Sequence, residues 1–199
     1  MFLEMIKSIV LGIVEGISEW LPISSTGHMI LVNELINNTG GFTASDLYLY
    51  VIQLGAILAV VTLYFHKLNP FSPKKTNVEK ENTWKMWFKV IIACVPAAVI
   101  GLVLDNFMSA WENWQVVSAM LILYGVAFIV VESLHKETKI ESMDDMTYKT
   151  ALLIGLFQVL SIVPGTSRSG ATILGAMLIG CSRSVAAEFS FFLAIPVMF

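Results

Sequence analysis

Glu15 and Glu19 lie four residues apart in a stretch that is otherwise almost wholly apolar. On a helix that spacing puts both carboxylates on one face. In a low dielectric two such groups stay ionised only with a cation between them or bases nearby. A hard divalent ion held by one or two carboxylates and by phosphate oxygens is one solution. A shared proton and a stripe facing water are the others. Just downstream, Ser24, Ser25, Thr26 and His28 set hydroxyls beside an imidazole. That pairing suits an activated nucleophile or a water-activating base, and a Ser-Ser-Thr run before Gly27 also reads as a helix cap. A third group falls at Pro164 to Gly170 (PGTSRSG), where Thr166, Ser167 and Ser169 add hydroxyls and Arg168 adds a planar donor fork suited to phosphate oxygens. A helix beginning near Gly170 would offer unpaired backbone N–H groups to the same anion. The alternative is an N-cap with an arginine reaching for the surface. Together the three groups indicate phosphate chemistry, with hydrolysis, transfer and transport all open.

These residues stand in a chain that has few charges to spare. Of its 199 residues 56% are hydrophobic and only 14% charged, with a mean hydropathy of +0.76. An ordinary soluble domain carries roughly 25% charged residues, so a soluble enzyme is excluded and an all-α integral membrane protein is expected. The net charge of -3 gives no reason to expect nucleic acid. Cys94 and Cys181 sit in apolar runs without metal-ligand spacing and read as small hydrophobes. A charge at the centre of a membrane helix costs roughly 2.5–3.5 kcal/mol. Glu15, Glu19 and Arg168 therefore need a reason to be where they are.

Nine of the ten lysines fall in two stretches, His66 to Lys89 and His135 to Lys149. Spanning helices are expected at 45–65, 86–104 and 115–134, with Pro96 kinking the second. The connection between the last two holds Asp105, Trp111, Glu112 and Trp114 but no base. The positive-inside rule then puts both lysine-rich loops in the cytoplasm and this connection outside. His66 and His135 are expected to be solvated. The flanking stretches, 1–37 and 148–181, are each broken near the middle, at Pro22 to Gly27 and at Pro164 to Gly170. Two re-entrant helix pairs fit them better than full spans.

The two broken stretches also align. LGIVE (11–15) matches IGLFQ (154–158), and LPISSTGHMIL (21–31) matches VPGTSRSGATIL (163–174) with Gly165 as an extra residue. Three spans separate the copies, so the second enters from the opposite face. This is an inverted-topology repeat whose broken tips meet near the midplane. The chain is expected to be one membrane domain, with residues 1–134 as the first repeat and 148–199 as an incomplete second. On that arithmetic it lacks about 70–80 C-terminal residues of a whole repeat.

EGISEWLPISSTGH (15–28), PGTSRSGAT (164–172) and SRSVAAEFSFFLAIP (182–196) resemble the undecaprenyl-diphosphatase family, also called the bacitracin-resistance protein family. The resemblance spans the whole chain. It implies hydrolysis of undecaprenyl diphosphate, a long-chain prenyl diphosphate lipid, to undecaprenyl phosphate and inorganic phosphate. That reaction recycles the lipid carrier of bacterial cell-wall synthesis and gives bacitracin resistance. The resemblance also implies a divalent cation, Mg2+ or Ca2+, at Glu15 and Glu19, and catalysis by Glu19, Ser25, His28 and Arg168. Ser24, Thr26, Ser167, Arg168, Ser169 and Gly170 are the expected phosphate-binding residues. It places the enzyme in the bacterial cytoplasmic membrane with its site opening to the outer face, and leaves room for a homodimer. Arg183 and Glu188 match a family segment without an assigned role, a supporting salt bridge being the expectation for Glu188. The competing reading is a secondary transporter or flippase for an anionic or lipid-phosphate solute.

Overall fold

The computed structural model describes residues 2–36, 43, 45–108, 114–134 and 137–198, and these are all-helical apart from one isolated bridge between Ile140 and Cys181. The helices are α1 (Phe2–Ser18), α2 (Ser25–Leu35), α3 (Asp46–Leu63), the short α4 (Phe65–Leu68) and α5 (Asn77–Met108). They continue with α6 (Trp114–Ser133), α7 (Tyr148–Gln158), α8 (Arg168–Ile179) and α9 (Arg183–Met198). Two of them are long and apolar enough to cross a membrane, over Asn77–Leu104 and Gln115–Ser133, while the apolar part of α3, Leu47–Leu63, is shorter. Large apolar side chains line the outside, among them Leu102 at 86% and Ile129 at 71% exposure. Lipid, and not water, is the solvent that suits such a surface. Trp111, Glu112 and His135 lie outside the described residues.

The helix starts follow from local chemistry. Ser45, Thr147 and Ser167 cap α3, α7 and α8 by accepting from the backbone N–H three residues on. Helix α5 begins about nine residues before the expected 86 because Thr76 and Glu79 form a capping box. The Glu79 N–H donates to Thr76 Oγ1 at 3.3 Å, and Glu79 Oε2 accepts from the Thr76 N–H at 2.7 Å. Its first turns are polar, so a solvated extension runs straight into the apolar span. Pro96 lies inside α5 without ending it.

Packing brings the two lysine-rich loops to one side. Lys89 Nζ donates to the Met143 carbonyl at 2.9 Å, and Asn82 Nδ2 to Asp144 at 3.2 Å. Lys75, buried against α5, donates to the Lys67 carbonyl at 2.9 Å and to Thr83 Oγ1 at 2.6 Å, and burial holds its ammonium below the ordinary lysine pKa. Glu188 of α9 pairs with Lys67 at 2.7 Å, the salt bridge expected for it with its partner now identified. Arg183 pairs with Glu132 of α6.

The core sits where α5, α7, α8 and α9 meet, with Val90, Ala93, Ile154, Phe189, Phe192 and Leu193 fully buried. Tyr64 meets Phe192 edge-on at 5.2 Å, which ties α9 to the end of α3. The closest approach is α5 on α7, since an ideal Cβ at Gly155 would lie 2.2 Å from the Ala93 carbonyl oxygen. Gly155→Val is therefore expected to push these helices apart and cost about 1–3 kcal/mol or more, as overpacking does. Thermal unfolding in detergent checks this, and an unshifted midpoint would contradict the close crossing.

Candidate functional site

Each break is a helix end with a reason. Helix α1 stops at Ser18, and one further backbone bond, from Glu19 N–H to the Glu15 carbonyl at 2.9 Å, keeps both glutamates on one face. The chain then turns through Pro22 to Ser24, which takes a left-handed φ of 65° before α2 begins at Ser25. In the second break a 3-10 turn over Val159–Ile162 follows α7. Gly165 at φ 85° then reverses the chain into Ser167. Only glycine suits that position, because the backbone is left-handed and an ideal Cβ would meet Val117 Cα of α6 at 2.5 Å. The nonhelical tips, 19–24 and 163–167, begin and end slightly before the expected breaks, so Gly27 and Gly170 already lie in helices.

Ser24 and Ser167 are aligned in sequence and do the same work. Ser24 Oγ accepts from the Gly27 N–H at 3.4 Å, and Ser167 Oγ from the Gly170 N–H at 3.0 Å. Both hydroxyls are buried caps, with Ser169 Oγ 3.2 Å from Ser167 Oγ. The tips touch, since an ideal Cβ at Gly170 would lie 3.3 Å from the Pro22 carbonyl oxygen.

Glu19 joins the two breaks. Its Oε1 accepts from Arg168 Nη2 at 2.7 Å, and its Oε2 accepts from Ser25 Oγ at 2.6 Å. The side chains of Arg168 and Glu19 are only 14% and 10% exposed. At such short distances and little exposure these are charge-assisted bonds of the stronger kind. Arg168 Nε and Nη1 are buried and meet no acceptor among the described residues. Glu15 is 1% exposed, and neither of its oxygens has a hydrogen-bond partner there. Buried charge without a partner is costly. One unsatisfied carboxylate and one guanidinium with idle donors thus flank the ion pair, leaving capacity for a cation and for an anion.

The expected pairing of Ser25 with His28 is not among the contacts. Ser25 turns its hydroxyl to Glu19, a stronger acceptor, while His28 Nδ1 lies 2.9 Å from the Ser24 carbonyl oxygen. A carbonyl only accepts, so Nδ1 carries the proton and Nε2 is left as the basic nitrogen. Thr26 is exposed and makes none of the hydrogen bonds that define the cluster. Among the described residues there is no group of three or more His, Cys, Asp or Glu that could hold a metal ion. Glu15 and Glu19 alone would do so, as suits an ion that takes one or two carboxylates and its remaining ligands from phosphate and water.

Two groups were not singled out in the sequence. Thr172 Oγ1 and Ser190 Oγ share a hydrogen bond of 2.7 Å in the core, linking α8 to α9 directly behind Arg168. Gln158, 2% exposed with Oε1 unpartnered, stands in the alignment where the first copy has Glu15. The alignment itself carried that signal.

Two helices able to cross a membrane, and a buried carboxylate–guanidinium–hydroxyl cluster where the ends of α1, α2 and α8 meet, give the form of a helical membrane protein with a buried polar site. Comparison with known proteins narrows the class. Residues 8–199 match the family described as bacitracin resistance protein BacA, and the chain belongs to that family. A relative from Enterococcus faecalis named undecaprenyl-diphosphatase is 60% identical over 202 residues, covering 100% of this chain and 73% of the relative. Relatives of the same name from Limosilactobacillus fermentum and Lactiplantibacillus plantarum are 60% and 57% identical, each covering 99% of this chain and 72% and 73% of their own lengths.

The ion pair makes a stability prediction. Arg168→Ala leaves the Glu19 carboxylate buried without its base, a change that costs about 3–5 kcal/mol in comparable sites. Adding Glu19→Gln removes the orphaned charge and should recover most of that loss. A double-mutant cycle on unfolding in detergent reads the coupling, and strictly additive losses would contradict it.

Proposed function

We propose that this protein is an undecaprenyl-diphosphatase. It hydrolyses undecaprenyl diphosphate to undecaprenyl phosphate and inorganic phosphate, recycling the lipid carrier of bacterial cell-wall synthesis and giving bacitracin resistance. The family and the names of its relatives support the activity. The observation that carries it in this chain is Glu19 holding Ser25 and Arg168 together, with the other nitrogens of Arg168 idle.

The geometry suggests an order of events. Arg168 Nε and Nη1, with the Ser167–Gly170 turn beside them, bind oxygens of the terminal phosphate and stabilise the charge that spreads over them. Ser25 Oγ attacks the terminal phosphorus while its proton passes to Glu19 Oε2. The new Oγ–P bond forms as the bridging P–O bond breaks, and undecaprenyl phosphate leaves. Water then attacks the phosphoserine as His28 Nε2 takes its proton; the Oγ–P bond breaks, Glu19 returns its proton to Ser25 Oγ, and inorganic phosphate departs, carrying away the proton that His28 gives up. Glu15, with Glu19, would hold Mg2+ or Ca2+, and its unpartnered buried carboxylate fits that task. Such an ion, when bound, neutralises charge on the diphosphate and polarises its phosphoryl oxygens.

The same reading includes the topology. The two breaks are the tips of re-entrant pairs in an inverted repeat, and the site opens to the outer face of the cytoplasmic membrane. The shared side of the lysine-rich loops and the matched caps at Ser24 and Ser167 support this. Every group invoked comes from one chain, so a homodimer is not required.

Purified full-length protein should release phosphate from a long-chain prenyl diphosphate, and EDTA should stop the release. Glu19→Gln, Ser25→Ala and Arg168→Ala should each lower kcat/KM by about a hundredfold or more. Acid-stable label from terminally labelled substrate should appear on the wild type and not on Ser25→Ala. A fully active Ser25→Ala would exclude the covalent route in favour of direct attack by a His28-activated water. Substrate movement across liposomes without hydrolysis would favour a transporter.

A further inference from the structure

A lipid diphosphate has two ends, and the cluster at Glu19 accounts for only one. Two cavities meet at the second break. The inner, of about 250 Å³, lies between the tips and α6 and is lined by Pro22, Ile23, Gly165 and Ser167 together with Tyr124. The outer, of about 360 Å³, is a cleft between α6 and α8, with Tyr124, Ala127 and Val131 on one wall and Leu160, Leu174 and Leu178 on the other. Tyr124 lines both, and the inner one touches Ser167, the residue that precedes Arg168. The outer cleft is walled almost wholly by hydrocarbon, and its one aliphatic hydroxyl, Thr166 Oγ1, is buried near Tyr124.

Resting on the function proposed above, we infer that this α6–α8 cleft holds the isoprene units nearest the diphosphate. The head group lies at Arg168 and the chain passes Tyr124 outward between the two helices. The match is chemical: branched aliphatic walls suit a methyl-branched chain, and the polar end of the cleft adjoins the anion-binding turn. The cavity is far too small for a whole undecaprenyl chain. The distal units stay in lipid, which Leu123 and Leu160, 55% and 48% exposed beside the cleft, already face. Burying only the proximal units keeps the ordering cost of the long flexible chain low. The cleft thereby recognises a prenyl group without measuring its length.

One other groove could compete. Between α1 and α3, a space of about 560 Å³ is lined by Gly12, Gly16, Gly55, Ala56 and Ala59, and it reaches Trp20 beside Glu19. Glycines and alanines make up most of its lining, with Trp20, Val51 and Ile52 as its larger side chains. Gly12 aligns with Gly155, which lies tightly under the backbone of α5. That groove thus has the form of a surface for crossing another helix, and the α6–α8 cleft has the form of a slot for a chain.

A prenyl diphosphate carrying a diazirine on the isoprene nearest the diphosphate tests the inference on full-length protein in lipid. Label should map to residues 120–131 and 160–178. Label concentrated on 12–16 and 51–59 would overturn the inference, whether or not phosphate release is seen, so failure of the slot and failure of the activity can be told apart. Ala127→Trp, which fills the slot from its small-residue wall, should raise KM for the long-chain substrate about tenfold with kcat little changed, the pattern of lost uniform binding. An unchanged KM in a folded Ala127→Trp protein would also overturn it.

Discussion

The structure turns on one carboxylate. Glu19 receives a hydrogen bond on each oxygen, from Ser25 at the same break and from Arg168, 149 residues away at the other. In the alignment Ser25 and Arg168 stand at the same position, the first residue of the helix that follows each break. Two residues aligned in sequence thus donate to the two oxygens of a single acceptor. A carboxylate so deeply placed needs both bonds, because desolvating it is expensive and each bond offsets part of that cost. The tips cannot separate without leaving a buried charge on each side.

That constraint explains why the surrounding helices pack as they do. Arg168 begins α8, and α8 is held by α7 and α9 through an unusually dense interface, buried without interruption from Ser169 to Ala176. The Thr172–Ser190 hydrogen bond fixes α8 against α9 one turn behind Arg168. On the other side, Gly155 lets α5 approach α7 to backbone contact, and Gly165 lets α6 reach the tip of the second break. The first break is held more lightly. Helix α1 buries only Leu11, Glu15 and Ser18, and much of its apolar surface is exposed. Of the two breaks, the second is therefore the more densely packed.

Much of this could be read from the residues in order. Charge scarcity, the lysine-rich loops and the length of the apolar runs located the helices at 46–63 and 114–133 almost to the residue. The aligned breaks bring Glu19, Ser25 and Arg168 together from the sequence alone. The start of α5 was legible too, in the Thr76–Glu79 spacing, but a count of apolar residues looks past a polar capping box. What could not be read was side-chain direction at the tip. The left-handed turn at Ser24 decides that Ser25 faces the carboxylate and that His28 bends back to the backbone, and no spacing rule foresees it. Pairs such as Lys67–Glu188, 121 residues apart, depend on the final packing and leave no local trace.

The proposed repeat is opposite in its charges. The first copy brings Glu15 and Glu19, and the second answers with Gln158 and Arg168. Had both copies carried the glutamates, two anionic tips would have to meet in a low dielectric, where like charges repel most strongly. Had both carried the arginine, the contact would fail in the same way. Replacing one glutamate by its neutral amide at position 158 and one hydroxyl by a guanidinium at position 168 turns repulsion into an ion pair and keeps the shape of the helices. The same asymmetry leaves a carboxylate on one side of Glu19 and idle N–H donors on the other. A site between two aligned breaks gains chemistry when the breaks are not alike, and in the proposed function the guanidinium that holds this one together also holds the diphosphate.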